Sequence, residues 1–116
     1  MDTDFSSSAI VVMNTGMGRG DETLCQRLLT NYLHTLAELG KPPQSILLYA
    51  AGVAMARHDS PCRADLDRLA SAGSRIIACR TCLDHYGMMA AVPEAEIGNM
   101  LQIVEAQALA AKVITL

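Results

Sequence analysis

Three short runs in this chain are apolar from end to end: Ala9-Ile10-Val11-Val12-Met13, Ile46-Leu47-Leu48-Tyr49-Ala50 and Ile76-Ile77-Ala78-Cys79. A strand with one wet face alternates polar and apolar residues. Continuous aliphatic runs of this length describe strands covered on both faces. Helical spacing fills the gaps between them. Asp21 is a good N-cap for a helix whose apolar positions Leu24, Cys25, Leu28, Leu29, Tyr32, Leu33 and Leu36 repeat at i, i+3, i+4, i+7, and Gly40 with Pro42-Pro43 stops it. Ser60-Pro61 opens a second helix carrying Leu66 and Leu69, which ends at Ala72-Gly73. Past the third run, a short helix begins near Cys82 and breaks at Gly87. A longer helix carries the stripe Ile97, Met100, Leu101, Val104 and Ala108, and Lys112–Leu116 reads as a last strand. Strands buried on both faces, with connections long enough to cross over, give parallel pairing and right-handed βαβ units. The pattern therefore predicts an α/β fold: a three-layer α/β/α sandwich with a four- to five-stranded, largely parallel sheet. It forms one domain over residues 9–116, behind a polar tail of residues 1–8.

The remaining composition narrows the function classes. Half of the 116 residues are apolar, aromatics make up 3%, and the net charge is −3. Without a Lys/Arg cluster or aromatic platforms, the chain lacks the usual footprint for nucleic acid, so no nucleic-acid partner is expected. No apolar stretch approaches the roughly 20 residues of a membrane helix, and the polar, acidic start is unlike a signal peptide. These features predict a cytoplasmic protein with no membrane partner. In that reducing setting the four cysteines, Cys25, Cys62, Cys79 and Cys82, are thiols, metal ligands or redox groups rather than disulfides.

In parallel α/β sheets, ligands gather outside the carboxyl ends of the strands. Three segments should meet there: Asn14–Gly20, Gly52–Asp59 and the turn at Cys79. The first holds Asn14, Thr15, Gly16, Gly18 and Gly20, but its alternating glycines do not fit G-x-G-x-x-G, and no Lys-Ser/Thr follows as in a P-loop. It reads either as a flexible turn or as a backbone cradle for a small anion or thiol. Cys25 sits on the apolar stripe of its helix and Cys62 in a first helical turn, so both read as packing residues. A zinc site drawn from Cys79, Cys82, Cys62, His58 and His85 lacks the second paired cluster that structural sites show, so neither metal nor cofactor is expected. The Cys79-Arg80-Thr81-Cys82 pair at a strand-to-helix turn remains the chemical centre. Such a position can lower a thiol's pKa through helix N–H groups and a neighbouring cation, here Arg80. C-x-x-C at that place has the thioredoxin-like spacing, but the order of elements is not thioredoxin's, and neither a Trp nor a cis-proline signature accompanies it.

Across most of its length the sequence resembles the DsrE/DsrF-like sulfur-relay family, and within it the carboxy-terminal domains of selenium-metabolism proteins of the YedF type. The resemblance is carried by Val12-Met13-Asn14-Thr15-Gly16 with Gly18, Gly20, Asp21 and Glu22; by Tyr49–Val53 and Ser60-Pro61; by Cys79-Arg80-Thr81-Cys82-Leu83-Asp84-His85-Tyr86-Gly87; and by Asn99-Met100 with Ile103-Val104-Glu105. It implies a five-stranded domain assembled as a homo-oligomer (dimer, trimer or hexamer) that carries sulfur as a persulfide on one cysteine. Cys79, eight residues before Gly87, matches the sulfur-carrying position; Cys82 would resolve the persulfide or close a disulfide. Arg80 and backbone N–H groups of the following turn would stabilise the anion, Asn14, Thr15, Gly16 and Gly18 would form the neighbouring wall, and His58 would carry the proton. The implied partners are sulfur donors and acceptors, a TusA-like protein or a cysteine desulfurase. Tyr86 stands where relay proteins often have Arg, and Arg80 where close relatives often have Gly. The full-length YedF-type proteins carry an amino-terminal TusA-like domain with a Cys-Pro pair, which residues 1–8 do not supply. Two other readings compete: an oligomeric module binding a small anion or partner, and a C-x-x-C thiol–disulfide oxidoreductase.

Overall fold

The computed structural model describes residues 4–116. Five strands form one sheet in the order β4-β3-β2-β1-β5, with every neighbouring pair parallel. They are β1 (Ser8–Val12), β2 (Ser45–Leu48), β3 (Arg75–Cys79), β4 (Ile97–Gly98) and β5 (Lys112–Thr115). The helices are α1 (Glu22–Leu39), α2 (Arg63–Ser71), α3 (Arg80–His85) and α4 (Met100–Leu109). β1 and β2 are buried at every position, as continuous apolar runs require. Leu29, Leu33 and Leu36 of α1 and Leu66 and Leu69 of α2 complete the core on the face where these two helices pack together. The chain steps in one direction from β1 to β4, then returns across the sheet to β5. With right-handed crossovers, that return places α4 alone on the opposite face.

Register decides what emerges at the carboxyl edge. Val12 is level with Leu48, and Leu48 with Ala78, so Cys79 stands one residue beyond the ends of β1 and β2. Its only strand partner there is Gly98 of β4.

Several local expectations are corrected. β2 ends at Leu48 instead of Ala50, and Ala50–Ala56 winds into a 3₁₀ helix where a loop was expected. The short helix starts at Arg80, directly after Cys79, not near Cys82. Ile97 belongs to β4 rather than to the helical stripe. In α4 the buried residues are Ile103 and Ala106, while Met100, Leu101 and Val104 are each more than half exposed. This helix is apolar around most of its circumference, so periodicity alone does not select the inward face. Its rotation is set at the start, where Asn99 and Gln102 form a reciprocal capping box. Gly98 also lies so close to Gln102 and Ile77 that a Cβ there would meet both at 2.6 Å. Of the expected tail, residues 1–3 lie outside the described residues, whereas Phe5 packs partly buried against the core and Ser8 already belongs to β1.

An ion cluster ties the carboxyl-edge segments together. Arg63 donates to both carboxylate oxygens of Glu96 at 3.0 and 2.6 Å, to the carbonyl of Ala56 at 2.7 Å and to Asp67 at 2.9 Å. One guanidinium thus joins the end of the 3₁₀ helix, α2 and the turn before β4. Arg63→Ala leaves a nearly buried Glu96 unpaired, and removing one partner of such a pair costs about 3–5 kcal/mol. The expected result is a large drop in the urea midpoint. Glu96→Ala should give a similar drop, and the double variant should lose much less than the sum.

Candidate active site

Cys79 and Cys82 occupy consecutive steps of one turn. Cys79 is the N-cap residue of α3 and Cys82 is the third residue inside the helix. The two thiols lie one helical turn apart, close enough for Cys79 to influence the titration of Cys82. The environments differ sharply: Cys79 is 1% exposed and part of the core cluster, while Cys82 is half-buried. As N-cap, Cys79 makes no side-chain bond to the first turn of α3, so the expected helix N–H contacts to its sulfur are not formed. The sulfur that does receive an N–H is Cys82 Sγ, at 3.1 Å from the amide nitrogen of Ala50.

That amide is held in an unusual place. Ala50 is the one non-glycine among the described residues with positive φ, at 50°. A side chain in the left-handed region carries a steric cost of roughly 1–2 kcal/mol, so the surroundings must enforce it. They do so from both sides. Tyr49 N–H donates to the carbonyl of Val12 at 3.1 Å, and Gly52 N–H returns to the carbonyl of Tyr49 at 3.0 Å. Gly52 itself presses on β1, where a Cβ would fall 2.1 Å from the Val12 oxygen.

Cys82 opens into a cleft of about 360 Å³ lined by Tyr49, Ala50, Met100, Ile103 and Gln107. The walls are apolar apart from the Gln107 amide and the Tyr49 hydroxyl. The Asn14–Gly20 loop shapes a different cavity, also about 360 Å³, in which Asn14, Thr15, Gly16, Gly18 and Arg19 face Glu22, Cys25 and Gln26. Neither thiol of the pair lines it. Gly16 is required there by close packing, since a Cβ would meet Cys25 at 2.8 Å. Asp21 caps α1 by accepting from Leu24 N–H, and Glu22 adds a second carboxylate, so this loop offers an anion less than its glycines promised. Thr15 also borders a small separate hollow with Ala51, Ala54, Tyr86 and Met88.

Arg80 is exposed, and among the described residues its guanidinium enters no ion pair. His58 lies on the surface after the 3₁₀ helix, with its backbone N–H tied to the Ala91 carbonyl at 2.8 Å and no hydrogen bond from its ring to either sulfur. Among the described residues no group of three or more His, Cys, Asp or Glu side chains is arranged to hold a metal ion. Sequence reasoning passed over Ala50, Met100 and Gln107 as site residues. The Gly52 that follows Tyr49-Ala50-Ala51 was the one available signal, since glycine just past a strand end often marks backbone in close approach.

Burial raises the Cys82 pKa, the Ala50 N–H opposes that shift, and the neighbouring Cys79 thiol raises it further. Cys62, fully buried against Thr30 and Met55, is also raised, chiefly by burial. Alkylation by iodoacetamide under native conditions should therefore reach Cys82 before Cys62 and Cys79, with a rate that rises at a pH above the ordinary thiol range. Replacing Cys79 by Ser removes a neighbour that disfavours the Cys82 thiolate, so the rise should move to lower pH. Mass mapping of alkylated peptides across a pH series checks both the order and the sign.

No family model matches the chain, and no curated protein matches it. Solved structures do. The ychN protein from E. coli superposes with a TM-score of 0.68 at 20% identity, over 96% of this chain and 99% of that one. The protein MTH1491 from Methanobacterium thermoautotrophicum gives a TM-score of 0.62 at 23% identity, over 94% and 98% of the two chains. The protein BT1422 from Bacteroides thetaiotaomicron gives 0.63 at 16%, over 95% of each. At these identities the likeness establishes the fold: the chain is a five-stranded, all-parallel α/β/α sandwich like that of the ychN protein.

Proposed function

We propose that this chain is a sulfur carrier that takes sulfur from a donor persulfide, holds it on Cys79 and passes it to an acceptor thiol. The observation that carries the reading is the dithiol at the carboxyl edge of β3, where Cys79 caps α3 from within the core and Cys82 opens into a mostly apolar cleft. Nucleophilic thiolates accept the outer sulfur of a persulfide without net oxidation. A reducing compartment keeps both thiols available for that exchange. The resemblance to the sulfur-relay family supplies the partner classes, a cysteine desulfurase or a TusA-like protein as donor. Its YedF-type branch makes selenium the second cargo to test.

The same reading includes self-association. Met100, Leu101, Val104 and Leu109 of α4 are each more than half exposed, and Val113 on the edge strand β5 extends the patch. Glu105 is the only charged residue in α4. A nearly uncharged apolar face offers nothing to steer a charged partner, while a second copy of the same face matches it without charge pairing. Sedimentation of the native protein should give an oligomer, and Leu101→Glu should shift it toward monomer. A monomeric native protein at micromolar concentration overturns this part of the reading.

The carrier function is tested by loading with sulfur-labelled cysteine and a cysteine desulfurase, then mapping the adduct by mass spectrometry. The expected resting adduct is a persulfide on Cys79, and the Cys79→Ser/Cys82→Ser double variant should carry none. Undiminished label in that variant sinks the carrier reading, as does native protein that never takes up label. A dithiol that instead cycles with thioredoxin-type reductants and takes no sulfur would favour an oxidoreductase.

A further inference from the structure

Resting on the carrier reading, we infer that Cys82 is the entry thiol of the dithiol and the Ala50 amide its anion-stabilising donor, so that sulfur arrives at Cys82 and moves inward to Cys79. Three observations converge on this order. Cys79 is 1% exposed and lines none of the described cavities, whereas Cys82 lines the cleft through which a donor's persulfide can approach. Cys82 Sγ already accepts the Ala50 N–H at 3.1 Å, the one backbone donor aimed at either sulfur among the described residues. The Ala50 backbone is held at positive φ to aim that donor, which is the kind of maintained strain that clusters at working sites.

The chemistry balances without an oxidant. The Cys82 thiolate attacks the outer sulfur of the donor R–S–SH, a new S–S bond forms, and the donor's own S–S bond breaks with its electron pair leaving as R–S⁻. Cys82 now bears the persulfide, whose outer sulfur lies in the open cleft lined by Met100, Ile103 and Tyr49. The Cys79 thiolate then attacks that same outer sulfur. The Cys79–S–SH persulfide forms and the bond to Cys82 breaks. The electron pair returns to Cys82 Sγ, where the Ala50 N–H receives the charge. The proton that Cys79 gives up on becoming the thiolate passes to Cys82 Sγ as that sulfur regains the electron pair, while R–S⁻ leaves with the donor. Neither step changes the number of S–S bonds, and no reductant is consumed.

The experiment follows loading in time on the native protein and on Cys82→Ala, Cys82→Ser and Cys79→Ala. Rapid quenching of native protein should show the Cys82 persulfide first and the Cys79 persulfide later. Both Cys82 variants should load Cys79 roughly tenfold or more slowly, because access governs exchange rates. Cys79→Ala should still take sulfur, now on Cys82 alone, and lose it faster to cyanide, since its cargo stays in the open cleft. Native-rate loading of Cys79 in both Cys82 variants overturns the inference and leaves the carrier reading standing. So does early label on Cys79 alone. A Cys79–Cys82 disulfide with released sulfide as the main product also overturns it, since Cys79 would then be attacking the inner sulfur. Absence of label in every protein, native included, removes the carrier reading itself.

Discussion

Where β2 ends, the chain turns hard against β1, and Gly52 fits there only because it has no side chain. The carbonyl of Val12 takes the N–H of Tyr49, and the backbone of Gly52 packs onto the same oxygen more closely than any Cβ would allow. With both flanks fixed, Ala50 is forced into the left-handed region and its N–H is swung out toward α3. The hydrogen bond at Cys82 is therefore a consequence of how two neighbouring parallel strands end at the same level. The site inherits its rigidity from the sheet, as precise positioning of reactive groups requires. Arg63 secures the far end of the same 3₁₀ helix to α2 and to the turn before β4, so the segment carrying the donor is anchored at both ends.

The two faces of the sheet are unequal, and the inequality creates the cleft. α1 and α2 pack together on one side, while the ten-residue α4 crosses the other on its return from one sheet edge to the opposite one. A single short helix leaves space beside it at the carboxyl edge, where Met100, Ile103 and Gln107 face Cys82. Met100 belongs both to this wall and to the outward apolar patch. A subunit or partner covering that patch would also form part of the approach to the dithiol.

Much of this was legible from residues alone. Continuous apolar runs identified β1, β2 and β3, and the Asp21 cap with Gly40 bounded α1. The Cys79–Cys82 turn was found because its spacing is short and its setting local. What escaped had nonlocal causes. β4 is two residues long, too short for any periodicity, and exists only because Gly98 lies beside Cys79. The inward face of α4 was hidden by apolar residues on most sides. The 3₁₀ helix at Ala50–Ala56 carries no strong propensity and follows from contacts with β1 and with Arg63. Asn14, Gly16 and Gly18, expected as a wall of the thiol site, instead shape their own cavity, because Gly16 is drawn onto Cys25 in α1.

The sequence by itself determined the layered α/β architecture and the place of the dithiol along the chain. Hydrophobic periodicity, caps and a two-residue spacer between thiols act over a few residues and can be read there. Only the tertiary structure decided that the two cysteines differ, one sealed in the core and one open to a cleft with a backbone donor. Burial and that hydrogen bond depend on β2, α3 and α4, brought together across roughly fifty residues of chain, and neither is encoded in the four residues from Cys79 to Cys82.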